Sequence, residues 1–336
     1  MKKINGVNNF SINSPTILTL GTFDGVHKGH QKILKKLKSE AKKDCLKSVV
    51  LTFFPHPRTV LNPDFSLKLI NTIEERSSLF EKSGIDILIT HPFDKNFSEL
   101  SPNEFVKNIL VEKLNIKKIL IGYDHRFGKD RTAGIEDLKR FGLKYGFQVI
   151  EISVEEQNKV SISSTKIRNS IAKGNINEAE SYLGYDFSLK GIVIKGNAIG
   201  RTLGFPTANL NIKEDYKLIP KKGVYMISTQ LDNKTVYGMM NIGVKPTLEL
   251  EKESIEVNLF DWNKNLYGKE IKVSVIKYVR KEKKFDSEEL GKIKDLQTKY
   301  QTITAKMGQL EVDRLLLEQA MQRLDESKDT LTVEYE

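Results

Sequence analysis

Short apolar runs alternate with amphipathic stretches through the first half of this 336-residue chain. The apolar runs lie at residues 17–23, 48–53, 85–90, 118–122 and 147–152, and the amphipathic stretches lie at residues 29–43, 72–82, 102–114 and 135–145. This alternation is typical of a parallel sheet with helices on both faces. We therefore predict a Rossmann-like α/β domain whose ligand binds at the carboxyl ends of the strands.

Beyond residue 184 the pattern changes to frequent glycines and short β-rich runs. These runs lie at residues 189–195, 224–230, 236–242, 254–260 and 271–279, with turn-forming pairs such as Asp232-Asn233 between them. Short strands separated by turn signals are typical of a small antiparallel barrel. We therefore predict an α/β domain at residues 1–184 and a β-barrel domain at residues 185–290.

The last part of the chain, residues 291–336, carries an apolar repeat of seven residues. One repeat position holds Ile293, Tyr300, Met307 and Met321, and the other holds Leu296, Ile303, Leu310, Leu317, Leu324 and Leu331. The repeat predicts a long helix with a coiled-coil seam, which would allow a homo-oligomer or the binding of a partner. A helix packed against the barrel is the alternative, because apolar stripes often face a core.

Composition narrows the class of protein. The chain has one cysteine, Cys45, and so cannot form an internal disulfide, which fits the cytoplasm. It shows neither an apolar secretion signal at its start nor an apolar run of membrane-spanning length. A net charge of +10 is compatible with binding nucleic acid, with binding small polyanions such as nucleotides, or with no ligand at all, and no nucleic-acid-binding motif accompanies it. We expect a cytoplasmic protein that binds neither membrane nor nucleic acid.

The motif GTFDGVHKGH, which begins at Gly21, follows the first predicted strand and leads into a helix. Its glycines let the backbone turn tightly and approach a phosphate. His27 and His30 flank the helix start, where free N–H groups and the helix dipole favour an anion. We predict that these histidines stabilise the charge on a phosphoryl group as pyrophosphate leaves, and that Gly21, Phe23 and Gly29 line the phosphate site.

A second polar segment places Ser163, Ser164 and Thr165 at the start of another predicted helix, with Arg168 one turn later. Hydroxyl groups at a helix start cap the helix on their own account. The arginine lies on the same face and can complete an anion site. The segment therefore indicates either a capped helix or a phosphate site.

These motifs occur together in a known family. The first one resembles the signature of nucleotidyltransferases with a His-x-Gly-His motif, and in full it resembles that of the bacterial bifunctional riboflavin kinase/FAD synthetase family. The pattern of that family continues in order with FFPHP at residues 53–57, GYDHRFG at residues 122–128 and ISSTKIR at residues 162–168. The family usually has an aromatic residue where His125 stands.

The resemblance implies roles for several residues of the first domain. It implies that the second polar segment binds ATP phosphates through Ser164, Thr165 and Arg168, and that Asp124 lies against the nucleotide. It also implies a flavin contact at the Pro-His-Pro segment: Pro55, His56 and Pro57. A stiff turn after a strand explains that segment equally well.

The barrel region opens with a glycine-rich stretch that is not a Walker phosphate loop. Its glycines can bring backbone amides to phosphates, and we predict an ATP site at Gly191, Gly196, Gly200 and Arg201. Thr207 and Asn209 alternate on an extended segment, so that their oxygens can face one magnesium ion. On its own a Thr-x-Asn pattern indicates little.

The same stretch is similar to the distinctive motif of riboflavin kinases, and further motifs of that family follow it at residues 223–225, 241–243 and 266–269. The resemblance implies a six-stranded barrel, magnesium ligands at Thr207 and Asn209, a catalytic base at Glu256 and a flavin contact at Arg280. Strand alternation puts Glu256 on a polar face, which also suits an ordinary exposed carboxylate.

Together the two sets of motifs predict an enzyme that phosphorylates riboflavin to FMN with Mg-ATP and then adenylates FMN to FAD with a second ATP. One alternative keeps the fold and changes the acceptor to another phosphorylated metabolite, but two flavin-type motifs in one chain argue against it. Another alternative is a coiled-coil assembly protein in which catalysis is dispensable.

Overall fold

The computed structural model of this chain describes residues 1–8, 11–62, 64–122, 125–152, 162–195, 207–246, 251–262 and 264–282, and the single residues 306, 309, 310, 313 and 317. The first half of the chain folds around a parallel sheet whose order is β1-β4-β3-β2-β5-β6. Its strands are β1 (Lys2–Asn5), β2 (Thr16–Leu20), β3 (Lys47–Phe54), β4 (Ile87–Pro92), β5 (Ile116–Gly122) and β6 (Gln148–Ile152). The predicted parallel sheet is confirmed, and β1 is an additional edge strand.

Helices follow the strands of this sheet. They are α1 (Lys28–Lys43), α2 (Pro57–Leu61), α3 (Ile73–Lys82), α4 (Lys95–Ser98), α5 (Pro102–Glu104), α6 (Ile135–Tyr145), α7 (Ser164–Lys173) and α8 (Ile176–Leu183). The α5 helix continues as a π-helical segment, Phe105–Val111, and Lys129–Arg131 form a 3-10 turn. The predicted helix at residues 102–114 thus changes its hydrogen-bonding pattern after one turn.

Both faces of the sheet are covered. Leu18 of β2 belongs to a buried cluster with the π-helical segment, which contributes Phe105 and Leu110. The preceding residue, Ile17, belongs to the cluster on the other face, with Leu34 of α1 and Phe80 of α3. Because successive side chains of a strand point to opposite faces, this arrangement explains why the strands read as continuous apolar runs.

A closed antiparallel barrel follows, with the strand order β10-β11-β8-β7-β12-β9. Its strands are β7 (Ser188–Ile194), β8 (Ala208–Asn211), β9 (Gly223–Leu231), β10 (Lys234–Pro246), β11 (Glu251–Leu259) and β12 (Glu270–Arg280). The barrel is confirmed. The apolar runs indicated five of its strands, whereas the four-residue β8 is too short to stand out by alternation.

The α/β domain and the barrel share a core around α7 and α8. Ile167 and Ile171 of α7 and Leu183 of α8 belong to the same buried cluster as Leu189 and Tyr225 of the barrel. The two helices just before residue 184 therefore pack on the domain that follows. The boundary at residue 184 stays a prediction.

Only five residues of the predicted tail helix are described, and each is helical. The side chain of Gln309 donates a hydrogen bond of 3.0 Å to Asp313 one turn later. Leu310 and Leu317, which share one position of the apolar repeat, are 67% and 64% exposed. These residues agree with a helix, while the long helix over residues 291–336 and its seam stay predictions.

Candidate functional site

The loop between β2 and α1 turns sharply at the carboxyl edge of the sheet. Phe23, Gly25 and Val26 have φ angles of 48°, 84° and 32°. A Cβ atom at Gly25 would lie 2.9 Å from the side chain of Ile70, and its φ is one that L side chains rarely adopt. The turn brings Asp24 into the interior, where it is 1% exposed.

The two predicted catalytic histidines meet at the N-terminus of α1. Their rings stack with centroids 3.6 Å apart, and Nδ1 of His27 accepts a hydrogen bond of 3.4 Å from the backbone N–H of His30. Burial lowers the pKa of His27 to about 4. Burial, with the charges of His27 and Arg76, lowers the pKa of His30 well below its ordinary value. Both rings are therefore neutral near pH 7, and each can donate one hydrogen bond to a phosphate oxygen.

The remaining residues predicted in this motif pack around the histidines. The ring of Phe23 is buried and meets His30 edge-on, with centroids 5.0 Å apart. A Cβ atom at Gly21 would lie 3.3 Å from the Phe23 ring, and one at Gly29 would lie 3.1 Å from the His27 ring. The packing explains these residues without a ligand, and their phosphate contacts stay predictions.

Asp24 joins this loop to the start of α7. Its carboxylate accepts a hydrogen bond of 2.5 Å from Arg168, and its backbone carbonyl accepts one of 2.8 Å from the hydroxyl of Ser164. Arg168 also donates to the hydroxyl of Thr165 at 3.3 Å. Burial raises the pKa of Asp24, while the charges of Arg168 and Arg76 act against that shift. The structure thus brings Ser164, Thr165 and Arg168 to the histidine motif.

The Pro-His-Pro segment lies near the same charges. His56 caps α2, because its Nδ1 accepts a hydrogen bond of 3.1 Å from the backbone of Arg58, and Pro57 begins the helix. Burial lowers the pKa of His56 to about 4, and the charges of Arg168, Arg58 and Arg76 add to that shift. The segment thus begins a helix and lies near the charges around Asp24, and its flavin contact stays a prediction.

Arg76 of α3 is a residue of this cluster that the sequence interpretation missed. It is 2% exposed, and its guanidinium donates a hydrogen bond to the carbonyl of Thr22 in the histidine loop. Burial lowers its pKa, and the charge of Asp24 opposes that shift. A cation near the start of a helix is unfavourable for the helix dipole. The position of Arg76 in α3 was therefore a sequence signal that this residue has a role outside its own helix. Arg76 and Arg168 together surround one buried carboxylate with two positive charges.

In the barrel, the predicted metal ligand and the predicted base lie side by side. Asn209 of β8 is directly opposite Glu256 of β11, and Glu256 is directly opposite Asn241 of β10. The same row continues through Val224 of β9 to Arg280 of β12. Residues opposite each other on antiparallel strands have Cβ atoms about 5 Å apart. One row across five strands therefore carries three of the predicted kinase residues.

This row faces away from the barrel core. The neighbours of Glu256 in β11, Ile255 and Val257, are buried in that core, whereas Glu256 and Asn209 are half-buried. Asn241 donates a hydrogen bond of 3.1 Å to Glu282, so that a second carboxylate lies beside the row. From the sequence, Asn241 was noted only as part of a family motif.

The oxygens near Asn209 suit a magnesium ion. Thr207 lies two positions before Asn209, and Glu256 lies directly opposite it. Hydroxyl, amide and carboxylate oxygens are the ligand types that Mg²⁺ takes together with substrate phosphates. The described residues contain no group of three or more His, Cys, Asp or Glu side chains arranged to hold a metal.

Gly191 lies inside strand β7 and is buried. A Cβ atom there would lie 2.6 Å from the carbonyl oxygen of Asn211 on the neighbouring strand β8. Close strand packing thus accounts for this glycine, and its predicted phosphate contact stays a prediction. The other residues predicted for nucleotide binding lie outside the described residues: Asp124, Gly196, Gly200 and Arg201.

Comparison with protein families divides the chain in the same way. Residues 9–166 match the family described as FAD synthetase, and residues 183–301 match the family described as riboflavin kinase. The first match contains the histidine loop and most of the ISSTKIR motif. The second contains the whole barrel row and extends into the first residues of the predicted tail.

Similar proteins match along most of their length. A protein of Buchnera aphidicola subsp. Schizaphis graminum is 43% identical over 292 residues, covering 85% of this chain and 93% of that protein. One of Listeria monocytogenes is 38% identical over 297 residues, covering 88% of this chain and 93% of that protein. Both are named bifunctional riboflavin kinase/FMN adenylyltransferase.

A solved structure shares the fold. The crystal structure titled macrolide-efflux protein from Streptococcus pneumoniae has a TM-score of 0.79 and 33% sequence identity, covering 91% of this chain and 99% of that one. Among the residues that our structure describes, no helix has the length and apolar character needed to cross a membrane. The two family matches and the relatives establish that the chain belongs to the bifunctional riboflavin kinase/FMN adenylyltransferase family.

Proposed function

We propose that this chain phosphorylates riboflavin to FMN in the barrel and adenylates FMN to FAD at the histidine loop, using one ATP in each step. The observation that carries the proposal is the presence of two separate polar clusters, one around Asp24 and Arg168 and one around Asn209 and Glu256. Each falls within the corresponding family match. A cytoplasmic site of action is part of the proposal, because one cysteine cannot form an internal disulfide.

In the adenylyl-transfer step, a phosphate oxygen of FMN attacks the α-phosphorus of ATP. The new O–P bond forms as the bond to the β-phosphate oxygen breaks, and pyrophosphate leaves. His27 and His30 donate hydrogen bonds to the oxygens on which charge increases, at the N-terminus of α1. Ser164, Thr165 and Arg168 hold the phosphates at the N-terminus of α7.

In the kinase step, Glu256 accepts the proton of the terminal ribityl hydroxyl as that oxygen attacks the γ-phosphorus of ATP. The bond to the β-phosphate oxygen breaks, and ADP leaves. Thr207 and Asn209 would hold Mg²⁺, which would neutralise the phosphate charge. Arg280, at the other end of the row, contacts the flavin.

The test is incubation of the full chain with riboflavin, ATP and MgCl₂, with flavins separated over time. We expect FMN to appear first and FAD to follow. Accumulation of FMN without FAD would refute the adenylyl-transfer step, and the absence of turnover would refute both steps. EDTA should stop both reactions, and added MgCl₂ should restore them.

Two substitutions test the assignment of the sites. Glu256→Ala should stop the formation of FMN but leave the conversion of supplied FMN to FAD unchanged. His30→Ala should have the opposite effect. Equal loss of both steps in either variant would contradict the division into two sites.

We also propose that residues 1–184 and 185–290 are the two catalytic domains and that residues 291–336 form an oligomerisation helix. The exposed Leu310 and Leu317 support the second part. The riboflavin kinase match ends at residue 301, so truncation after Gln301 spares that match. Light scattering should show a smaller assembly for the truncated chain, with both activities kept. An unchanged number of subunits per assembly, or loss of kinase activity, would contradict the role of the tail.

A further inference from the structure

A loop of the barrel domain docks beside the adenylyl-transfer site. The backbone carbonyl of Tyr216 accepts a hydrogen bond of 2.7 Å from the N–H of Leu69, and the N–H of Leu218 donates one of 2.7 Å to the carbonyl of Leu69. Leu69 belongs to the segment that leads into α3. Through these hydrogen bonds, this segment and the barrel loop pair like neighbouring parallel strands. The residue between the two barrel contacts is Lys217.

Lys217 points into this contact and is shielded from water, with 1% of its side chain exposed. Its ammonium group donates 2.8 Å to the carbonyl of Ile70 and 2.5 Å to the carboxylate of Glu75, and it lies over the ring of Phe187. Burial lowers the pKa of Lys217, and the Glu75 charge opposes that shift. A buried cation held by so few partners is costly to keep unless its contacts are specific.

The peptide group that Lys217 contacts is also bound by the adenylyl-transfer site. It joins Ile70 and Asn71, and its N–H donates to the carboxylate of Asp24 at 3.4 Å. The N–H of Ile70 donates to the same carboxylate oxygen at 2.9 Å. One peptide group therefore links a barrel lysine to the carboxylate that holds Arg168.

The same segment also supports the histidine loop. Glu75, the partner of Lys217, forms the capping box of α3 with Thr72. The next residue, Arg76, donates a hydrogen bond to the carbonyl of Thr22, which precedes Phe23 in the histidine loop. A shift of the α3 start would thus move both Asp24 and Thr22.

We propose that Lys217 is a positioning residue for adenylyl transfer, although it belongs to the kinase barrel. By holding the carbonyl of Ile70, it keeps the two N–H groups aimed at Asp24, and Asp24 in turn keeps Arg168 aimed at the ATP phosphates. A donor that polarises a peptide carbonyl also strengthens the hydrogen bond of its N–H. This inference rests on the proposed function of the histidine loop.

An exposed ion pair between the same two domains provides a matched control. Lys190 of β7 lies 3.4 Å from Glu74 of α3, with 35% and 76% of the side chains exposed. Glu74 and Glu75 are adjacent, but no described hydrogen bond leads from Glu74 to Asp24. Lys190→Met removes one barrel lysine and one contact to α3 without touching the Ile70 peptide.

The experiment compares the full chain with Lys217→Met, Lys190→Met and the double variant Lys217→Met/Glu75→Gln. Lys217→Met leaves the Glu75 carboxylate buried without its cation, which lowers stability. The double variant removes that charge too, while a glutamine oxygen can still accept the N–H of Thr72 in the capping box. In each protein, kcat and KM are measured separately for riboflavin phosphorylation and for adenylylation of supplied FMN.

We expect the double variant to show a KM for ATP about tenfold higher in adenylylation, the size of one lost hydrogen bond, with kcat changed less than threefold. For riboflavin phosphorylation, the kcat/KM of the double variant should stay within twofold of the value for the unsubstituted chain. The same holds for Lys190→Met. An unchanged adenylylation KM in the double variant would overturn the inference, as would an equal decline of both activities. If the unsubstituted chain does not form FAD, the proposed function itself is wrong.

Discussion

Arg168 of α7 lies 2.5 Å from the carboxylate of Asp24, although 144 positions separate them in the chain. Through this pair and the contact of Ser164 with the Asp24 carbonyl, the start of α7 is fastened to the loop before α1. Two helix N-termini thereby belong to one cluster, and each adds a positive dipole end. The cluster suits the polyphosphate of ATP better than either helix start alone.

Removing the Arg168 guanidinium should selectively damage adenylyl transfer. We expect Arg168→Met to lower kcat/KM for ATP by roughly a hundredfold, because a charge-assisted contact to phosphate is lost and the buried Asp24 loses its ion pair with Arg168. Steady-state kinetics with supplied FMN measure this effect. Lys166→Met, on an exposed position of the same helix, should stay near the rate of the unsubstituted chain. Equal loss in both variants would point to damage to α7 instead.

The buried histidines should make the fold sensitive to mild acid. Because burial lowers the pKa of His27 from 6.5 to about 4, the folded chain binds fewer protons than the unfolded chain between these values. The contribution of His27 to the free energy of unfolding is therefore at its highest above pH 6.5. It decreases as the pH falls towards 4, by up to about 3 kcal/mol. Urea unfolding at pH 7.5 and 4.5 should show a smaller loss in His27→Gln. An identical loss would contradict the burial of a neutral His27.

Glu256 should matter to the kinase step alone. We expect Glu256→Gln to lower kcat of riboflavin phosphorylation at least a hundredfold, because an amide cannot accept the hydroxyl proton, with adenylylation kept. Glu270→Gln supplies the matched change at an exposed carboxylate of β12. It removes an ion pair with Lys190, and its kinase rate should stay within twofold. Similar losses in the two variants would contradict the role of Glu256 as the base.

Gly191 should prove to be a packing residue. We expect Gly191→Ala to lower the free energy of unfolding by about 1–3 kcal/mol, because the new Cβ atom would lie 2.6 Å from the Asn211 carbonyl oxygen. Differential scanning calorimetry measures the loss. The KM for ATP of the folded kinase should remain unchanged. A raised KM with unaltered stability would instead favour the predicted phosphate contact.

Most helices and strands were predicted from local sequence patterns. The α6 helix spans the predicted residues 135–145, and the predicted start of the third helix appears as the capping box of Thr72 and Glu75. Both depend on interactions within a few residues of one another. The short strands β1 and β8 were not marked by any run, because four residues are too few to show a period and their pairing partners lie far along the chain.

The residue types of the two sites could be read from the sequence because each motif is local: the histidines at one helix start, the hydroxyls and Arg168 at another, and Thr207 beside Asn209. Which of these meet was decided by tertiary structure. The Asp24–Arg168 pair, the Asn209–Glu256 register and the burial of Arg76 join residues from distant segments, and sequence spacing contains no information on such contacts. The contact of Lys217 with the Ile70 carbonyl is the clearest case, because this barrel lysine acquires its role only when the barrel docks on the α/β domain.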